Sequence, residues 1–216
     1  DRLRDRDLVF YRTARPGRRL RDVPPEGGPV ITGFGFLRPY KGVLTAIRVL
    51  GQLRKEFPGI RYVGLHASYG GEASNIHLEE CRQEAARLGV LDAFHIDTGF
   101  HSVEDVVTEL ASADVILMAY EPSSEGASAA VNTALAAGRP VIVSPSEIFR
   151  PVAEVVHVVQ RHEPNAYADA IATLLRDRAK AAAMMDRARA WTEEHSYQRS
   201  AQRILAVVNG NSGSAE

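Results

Sequence analysis

Two stretches of this sequence bring together residue types that could hold a phosphorylated ligand. The first carries Gly33, Gly35, Arg38, Pro39, Lys41 and Gly42 within ten positions. Glycines allow a tight turn at a strand end, proline stiffens it, and Arg38 and Lys41 are then expected at a helix N-terminus. Free amides and the helix dipole already favour anions there, so the pattern suits a diphosphate as well as a plain capped helix start. It is neither a P-loop, since GxxxxGK[ST] is absent, nor a dinucleotide fingerprint, since the third glycine of GxGxxG is missing. The second stretch carries Tyr120, Ser124, Glu125, Gly126, Ala127, Ser128, Asn132 and Thr133. Its small residues let a ligand approach the backbone. Glu125 could accept hydrogen bonds from sugar hydroxyls, or simply cap the helix that follows.

Other chemistry finds less support. The seven histidines are scattered, and none pairs with another at i, i+4 beside a carboxylate, so no zinc site is expected. His66 and His101 fall at expected strand ends, where a ligand could reach them. A G-x-S-x-G nucleophile elbow is absent. The single cysteine, Cys81, fits a reducing compartment, and a cytoplasmic chain is expected.

The elements that must position these loops follow from periodicity. Apolar runs at 29–33, 60–66, 93–97, 114–119, 140–144 and 155–159 read as six strands. Helical spacing fits 41–57, 72–88, 103–110, 126–137, 165–176, 178–194 and 197–208, with a short helix near Phe149. Gly89 is the expected cap of the second helix, and Ser102 with Asp105 a capping-box-like start to the third. Strands alternating with helices give an α/β fold, a single doubly wound parallel sheet closed by C-terminal helices. Ligands of such sheets bind outside the carboxyl ends of the strands, near the switch in strand order. That selects the loops at 33–42, 67–75, 98–102, 120–128 and 144–149.

Residues 1–28 read as an Arg-rich arm or linker, 29–208 as the Rossmann-like domain and 209–216 as a polar tail. Residues 1–22 hold eight arginines against four aspartates, although the whole chain of 216 residues is nearly neutral at -1. The arm interleaves no aromatics with its cations, as single-strand nucleic-acid binders do. No apolar run approaches the ~20 residues of a membrane helix.

The two loops, in this order, resemble the C-terminal, donor-binding half of GT-B glycosyltransferases, most closely the retaining family 4. Its G-R-L-x-x-x-K-G motif is matched by residues 35–42. Its E-G-x-G-x-x-x-x-E-A-x-A-x-G-x-P-V motif is matched by residues 125–141. The resemblance covers roughly residues 29–205. It implies retaining transfer from a nucleotide diphosphate sugar to a glycan or lipid-linked acceptor, with no metal or other cofactor. Lys41 and Arg38 would stabilise the leaving diphosphate and Glu125 would hold the donor sugar. Gly35, Tyr120, Gly126, Ala127 and Ser128 would line the phosphates and sugar, Thr98, Gly99 and Phe100 the base, and Thr133 the ribose. Among the departures from the family, Phe36 replaces an arginine and Thr133 a glutamate.

A two-domain enzyme of this type needs roughly twice the ~100–200 residues of one domain. The chain, which begins at Asp1 without Met, is therefore expected to be one half. The expected partners are a nucleotide sugar and an N-terminal acceptor-binding domain, with no nucleic acid, and peripheral membrane contact is left open. Two alternatives remain at this stage: a degenerate, non-catalytic glycosyltransferase-like binding module, and an unrelated nucleotide-binding Rossmann domain.

Overall fold

Consecutive β-branched and apolar residues with no polar alternation suit strands covered on both faces, as parallel sheets require. The computed structural model, which describes residues 27–68, 72–122 and 128–208, bears this out. Six strands, β1 (Val30–Phe36), β2 (Arg61–Ala67), β3 (Phe94–Asp97), β4 (Val115–Met118), β5 (Val141–Val143) and β6 (His157–Val158), form one sheet. Every pairing is parallel, and the order is β3-β2-β1-β4-β5-β6. The chain works outward from β1 to one edge and then returns to build the other side from β4. The switch point thus lies between the carboxyl ends of β1 and β4.

The helices are α1 (Val43–Leu53), α2 (Glu72–Arg87), α3 (Val103–Leu110), α4 (Ala129–Ala136), α5 (Pro164–Arg176), α6 (Arg178–Glu194) and α7 (Tyr197–Val208). One core packs α1, α2 and α5 on one face, around Ile47, Leu50, Cys81, Tyr167 and Ile171. The other packs α3 and α4 on the opposite face, around Val107, Leu110, Val131 and Phe149. Helix α6 serves both, giving Ala181 and Met184 to the first and Ala188 and Trp191 to the second.

The helix ends follow the expected capping chemistry. Gly89 has φ +67, and the bonds Gly89 N–H to Ala86 O and Val90 N–H to Ala85 O close α2 in a Schellman turn. Ser102 Oγ accepts from the Asp105 amide at 3.1 Å and donates to the Asp105 carboxylate at 2.7 Å. The hydroxyl, rather than the Ser102 amide of a full capping box, satisfies the carboxylate.

Several boundaries differ from the sequence expectation, and three of them have a clear physical cause. Strand β1 continues past Gly33 to Phe36, because the long β2 partners Gly35 and Phe36 through His66 and Ala67. Residues Pro39–Lys41 form a separate 3-10 turn, so Arg38 and Lys41 precede the N-terminus of α1 instead of standing on it. Strand β6, with a neighbour on one side only, keeps two residues of an expected five. The Arg-rich arm through residue 26, the tail from 209, and Glu125, Gly126 and Ala127 lie outside the described residues.

Candidate functional site

The crevice at the switch point is built from the ends of β1 and β4 and the turn leading into α1. Gly42 caps α1 with φ +74, a conformation L side chains rarely adopt. A Cβ there would lie only 1.8 Å from the Ala119 carbonyl oxygen just beyond β4. Glycine therefore lets α1 begin in contact with β4, and it fixes the position of the preceding Lys41.

Lys41 Nζ stands 4.1 Å from the centroid of the Tyr120 ring and 4.9 Å from that of Tyr40. Ring faces carry negative charge density, so both hold the ammonium at the carboxyl edge of the sheet. Tyr120 is itself anchored: it is buried, packs on Phe149 at 5.2 Å, and donates to the Phe34 carbonyl at 3.4 Å. Gly35 lies against this shelf, its ideal Cβ position 3.5 Å from Tyr120 Oη. Arg38, half-buried and extended, accepts the Lys41 amide at its carbonyl. Lys41, Gly35 and Tyr120 are thus brought together, with Arg38 at the start of the same turn.

Ser128 is the N-terminal cap position of α4, and its buried Oγ has no hydrogen-bond partner among the described residues. Thr133 is 6% exposed on the same helix, whereas Asn132 is exposed. Beyond β3, the Asp97 carboxylate accepts the Gly99 amide at 2.8 Å and lies 3.2 Å from His101 Nε2. The Ser68 amide donates to Thr98 O at 2.9 Å, tying this loop to β2. Phe100 is 83% exposed, and Phe36, at the end of β1, 39%. Two strand spacings separate the β3 loop from β1, roughly 10 Å.

His66 is sealed inside the sheet and bonds Tyr62 Oη through Nε2 at 2.9 Å. Burial, reinforced by His77 and Lys41, pushes it down to about 3, so it is a neutral core residue. Among the described residues no group of three or more His, Cys, Asp or Glu is placed to hold a metal ion. No described helix is long and apolar enough to cross a membrane.

Sequence reasoning missed a polar chain beside the crevice. Glu121 accepts from Thr45 Oγ1 at 3.2 Å and lies 2.7 Å from His162 Nε2, which leads on to Tyr167. Glu121 directly follows the shelf tyrosine, and that adjacency was the one available signal.

A family profile described as glycosyl transferases group 1 matches residues 28–177. This chain belongs to the group 1 glycosyl transferases. No curated protein matches the sequence significantly. Among solved structures, this group 1 domain is similar to the Anabaena protein HepE, solved with UDP and glucose. That likeness has 21% identity and TM-score 0.72, and covers 85% of this chain and 48% of HepE. Sucrose-phosphate synthase from Thermosynechococcus elongatus is similar at 17% identity and TM-score 0.72, over 87% of this chain and 46% of its own. The C-terminal domain of a glycosyl transferase group 1 family protein from Francisella tularensis gives 16% and 0.62, over 74% and 82%. At these identities the likeness is one of fold: the group 1 domain matches the C-terminal half of GT-B structures. It spans about half the length of the HepE and sucrose-phosphate synthase chains.

Proposed function

We propose that this group 1 domain is the donor-binding half of a retaining, family 4-type glycosyltransferase. It would transfer a sugar from a nucleotide diphosphate sugar to a glycan or lipid-linked acceptor. The observation that carries this reading is the Lys41 ammonium held 4.1 Å over Tyr120 at the switch between β1 and β4. A fixed cation at that point can neutralise a diphosphate as its bond to the sugar breaks, with Arg38 assisting from the same turn. Side-chain cations and amides would then do the work a metal ion does elsewhere. Glu125 holds the donor sugar, and Gly126, Ala127 and Ser128 Oγ, which has no partner among the described residues, meet the phosphates or sugar. Thr98, Gly99 and Phe100 border the base, for which the exposed Phe100 ring offers a stacking face. The acceptor pocket belongs to an N-terminal half.

Thr133 marks the weak point. One neutral hydroxyl cannot match the two charged oxygens with which a carboxylate accepts from a vicinal diol, and the loss of charge-assisted bonds costs about 1.5–3 kcal/mol, or ten- to a hundredfold in affinity. Calorimetric titration with UDP, GDP and their sugars tests the reading. Micromolar binding that weakens about ten- to a hundredfold in both Lys41→Ala and Glu125→Ala supports it. Absence of binding to every nucleotide at millimolar concentration refutes it and leaves a non-catalytic binding module. Tight NAD binding that neither substitution touches points to an unrelated Rossmann domain.

A further inference from the structure

Glu121 joins two parts of the chain that lie far apart in sequence, the segment around Tyr40–Thr45 and that around His162. Its backbone N–H donates to Tyr40 O at 2.8 Å, within the turn that carries Lys41. One carboxylate oxygen accepts from Thr45 Oγ1 in α1 at 3.2 Å, and the other lies 2.7 Å from His162 Nε2, just ahead of α5. His162 Nδ1 lies 2.6 Å from Tyr167 Oη. Burial, with the Glu121 charge adding to it, holds the Tyr167 phenol well above its ordinary range, so it keeps its proton. A carboxylate oxygen only accepts, so His162 Nε2 donates to Glu121 while Nδ1 faces the Tyr167 hydroxyl. The resulting chain links Tyr167, His162 and Glu121, and Thr45 satisfies the second carboxylate oxygen.

The Glu121 and His162 side chains are 42% and 23% exposed, and pairs so open to water add little to stability. Their geometry has a more specific consequence. We infer that His162, backed by Tyr167, is a positioning residue: through Glu121 it holds the Tyr40–Lys41 turn against Tyr120 and so sets where the ammonium meets a donor diphosphate. This rests on the reading of the crevice as a nucleotide-sugar site.

The test is UDP affinity, measured by calorimetry on the chain carrying His162→Ala, His162→Gln, Lys41→Ala and the His162→Ala/Lys41→Ala pair. His162→Ala is expected to weaken UDP about tenfold. His162→Gln, whose amide can still donate to Glu121, should recover most of that. In the Lys41→Ala background His162→Ala should have no further effect, because it acts through the lysine. Unchanged affinity in His162→Ala overturns the proposal, as do losses that simply multiply in the pair or a failure of glutamine to rescue. Should His162→Ala not fold, Tyr167→Phe, which removes only the hydroxyl behind the imidazole, carries the same comparison. If the unsubstituted chain binds no UDP, the reading of the crevice falls and this proposal with it. If it binds UDP and His162→Ala binds equally well, only this proposal falls.

Discussion

Replacing Gly42 by alanine should be among the most damaging single-methyl additions in this domain. Two effects act together. The residue is left-handed, φ +74, which costs an L side chain about 1–2 kcal/mol. The new Cβ would also sit 1.8 Å from the Ala119 carbonyl oxygen, which is rigid backbone, so α1 must withdraw from β4. Overpacking of that kind costs about 1–3 kcal/mol. The sum is about 2–5 kcal/mol, which lowers a urea midpoint by roughly 1–2 M at an m-value of about 2–3 kcal/mol/M. Gly89→Ala supplies the control. It shares the backbone conformation, φ +67, but a Cβ there would meet nothing within 4 Å. Only the conformational cost of about 1–2 kcal/mol applies. Urea titrations of the two variants therefore isolate the contact between Gly42 and Ala119. Lys41 immediately precedes Gly42, so Gly42→Ala should also weaken UDP, whereas Gly89→Ala should not. The reasoning is refuted if Gly42→Ala is no less stable than Gly89→Ala.

Three further outcomes are expected. His66 titrates near 6.5 when unfolded but about 3 in the folded chain, so the denatured state gains a proton the native state refuses as pH falls below about 6.5. Stability should decline toward acid by up to about 1.4 kcal/mol per pH unit from this group, and denaturation at pH 7 and 4.5 should show a flatter decline for His66→Gln. Glu84, 13% exposed beneath the Arg48 and Arg87 guanidinium groups, is pulled down to about 2 by their hydrogen bonds. Cover by arginine side chains still leaves the network near solvent, so Glu84→Gln should cost about 1 kcal/mol, or roughly 2–4 °C in Tm at pH 7. That stabilisation is complete above about pH 4.5, and the difference from Glu84→Gln should vanish as pH falls through about 2. Cys81 is buried, and burial pushes its thiol up to about 12. A disulfide reagent at pH 8 should label the native chain negligibly and the urea-unfolded chain once.

The sheet was legible because interior parallel strands are continuous apolar runs. Val115–Met118, buried throughout, could be read as little else. Boundaries were less legible where a partner strand or a turn decided them. Gly35 suggests a loop by type, yet the ladder to β2 carries it into β1. Pro39 invites a helix start, but the close approach of Gly42 to Ala119 delays α1 and leaves Lys41 in its own turn. Lys41 was singled out because glycines and a cation cluster locally in sequence. Glu121 and His162 were not paired, because only the turn from β4 back through β5 and β6 brings them within 2.7 Å. Local spacing carries no trace of such a contact.

The sheet is also finished at its borders. Its outermost strands, β3 and β6, are four and two residues long, while the seven-residue strands β1 and β2 lie inside. An unpaired strand edge is a template on which foreign chains can add, and the hazard grows with its length and flatness. Here the borders offer few consecutive backbone groups to an incoming strand. The same shortness that made β6 hard to delimit from sequence thus guards the folded chain against edge-to-edge aggregation.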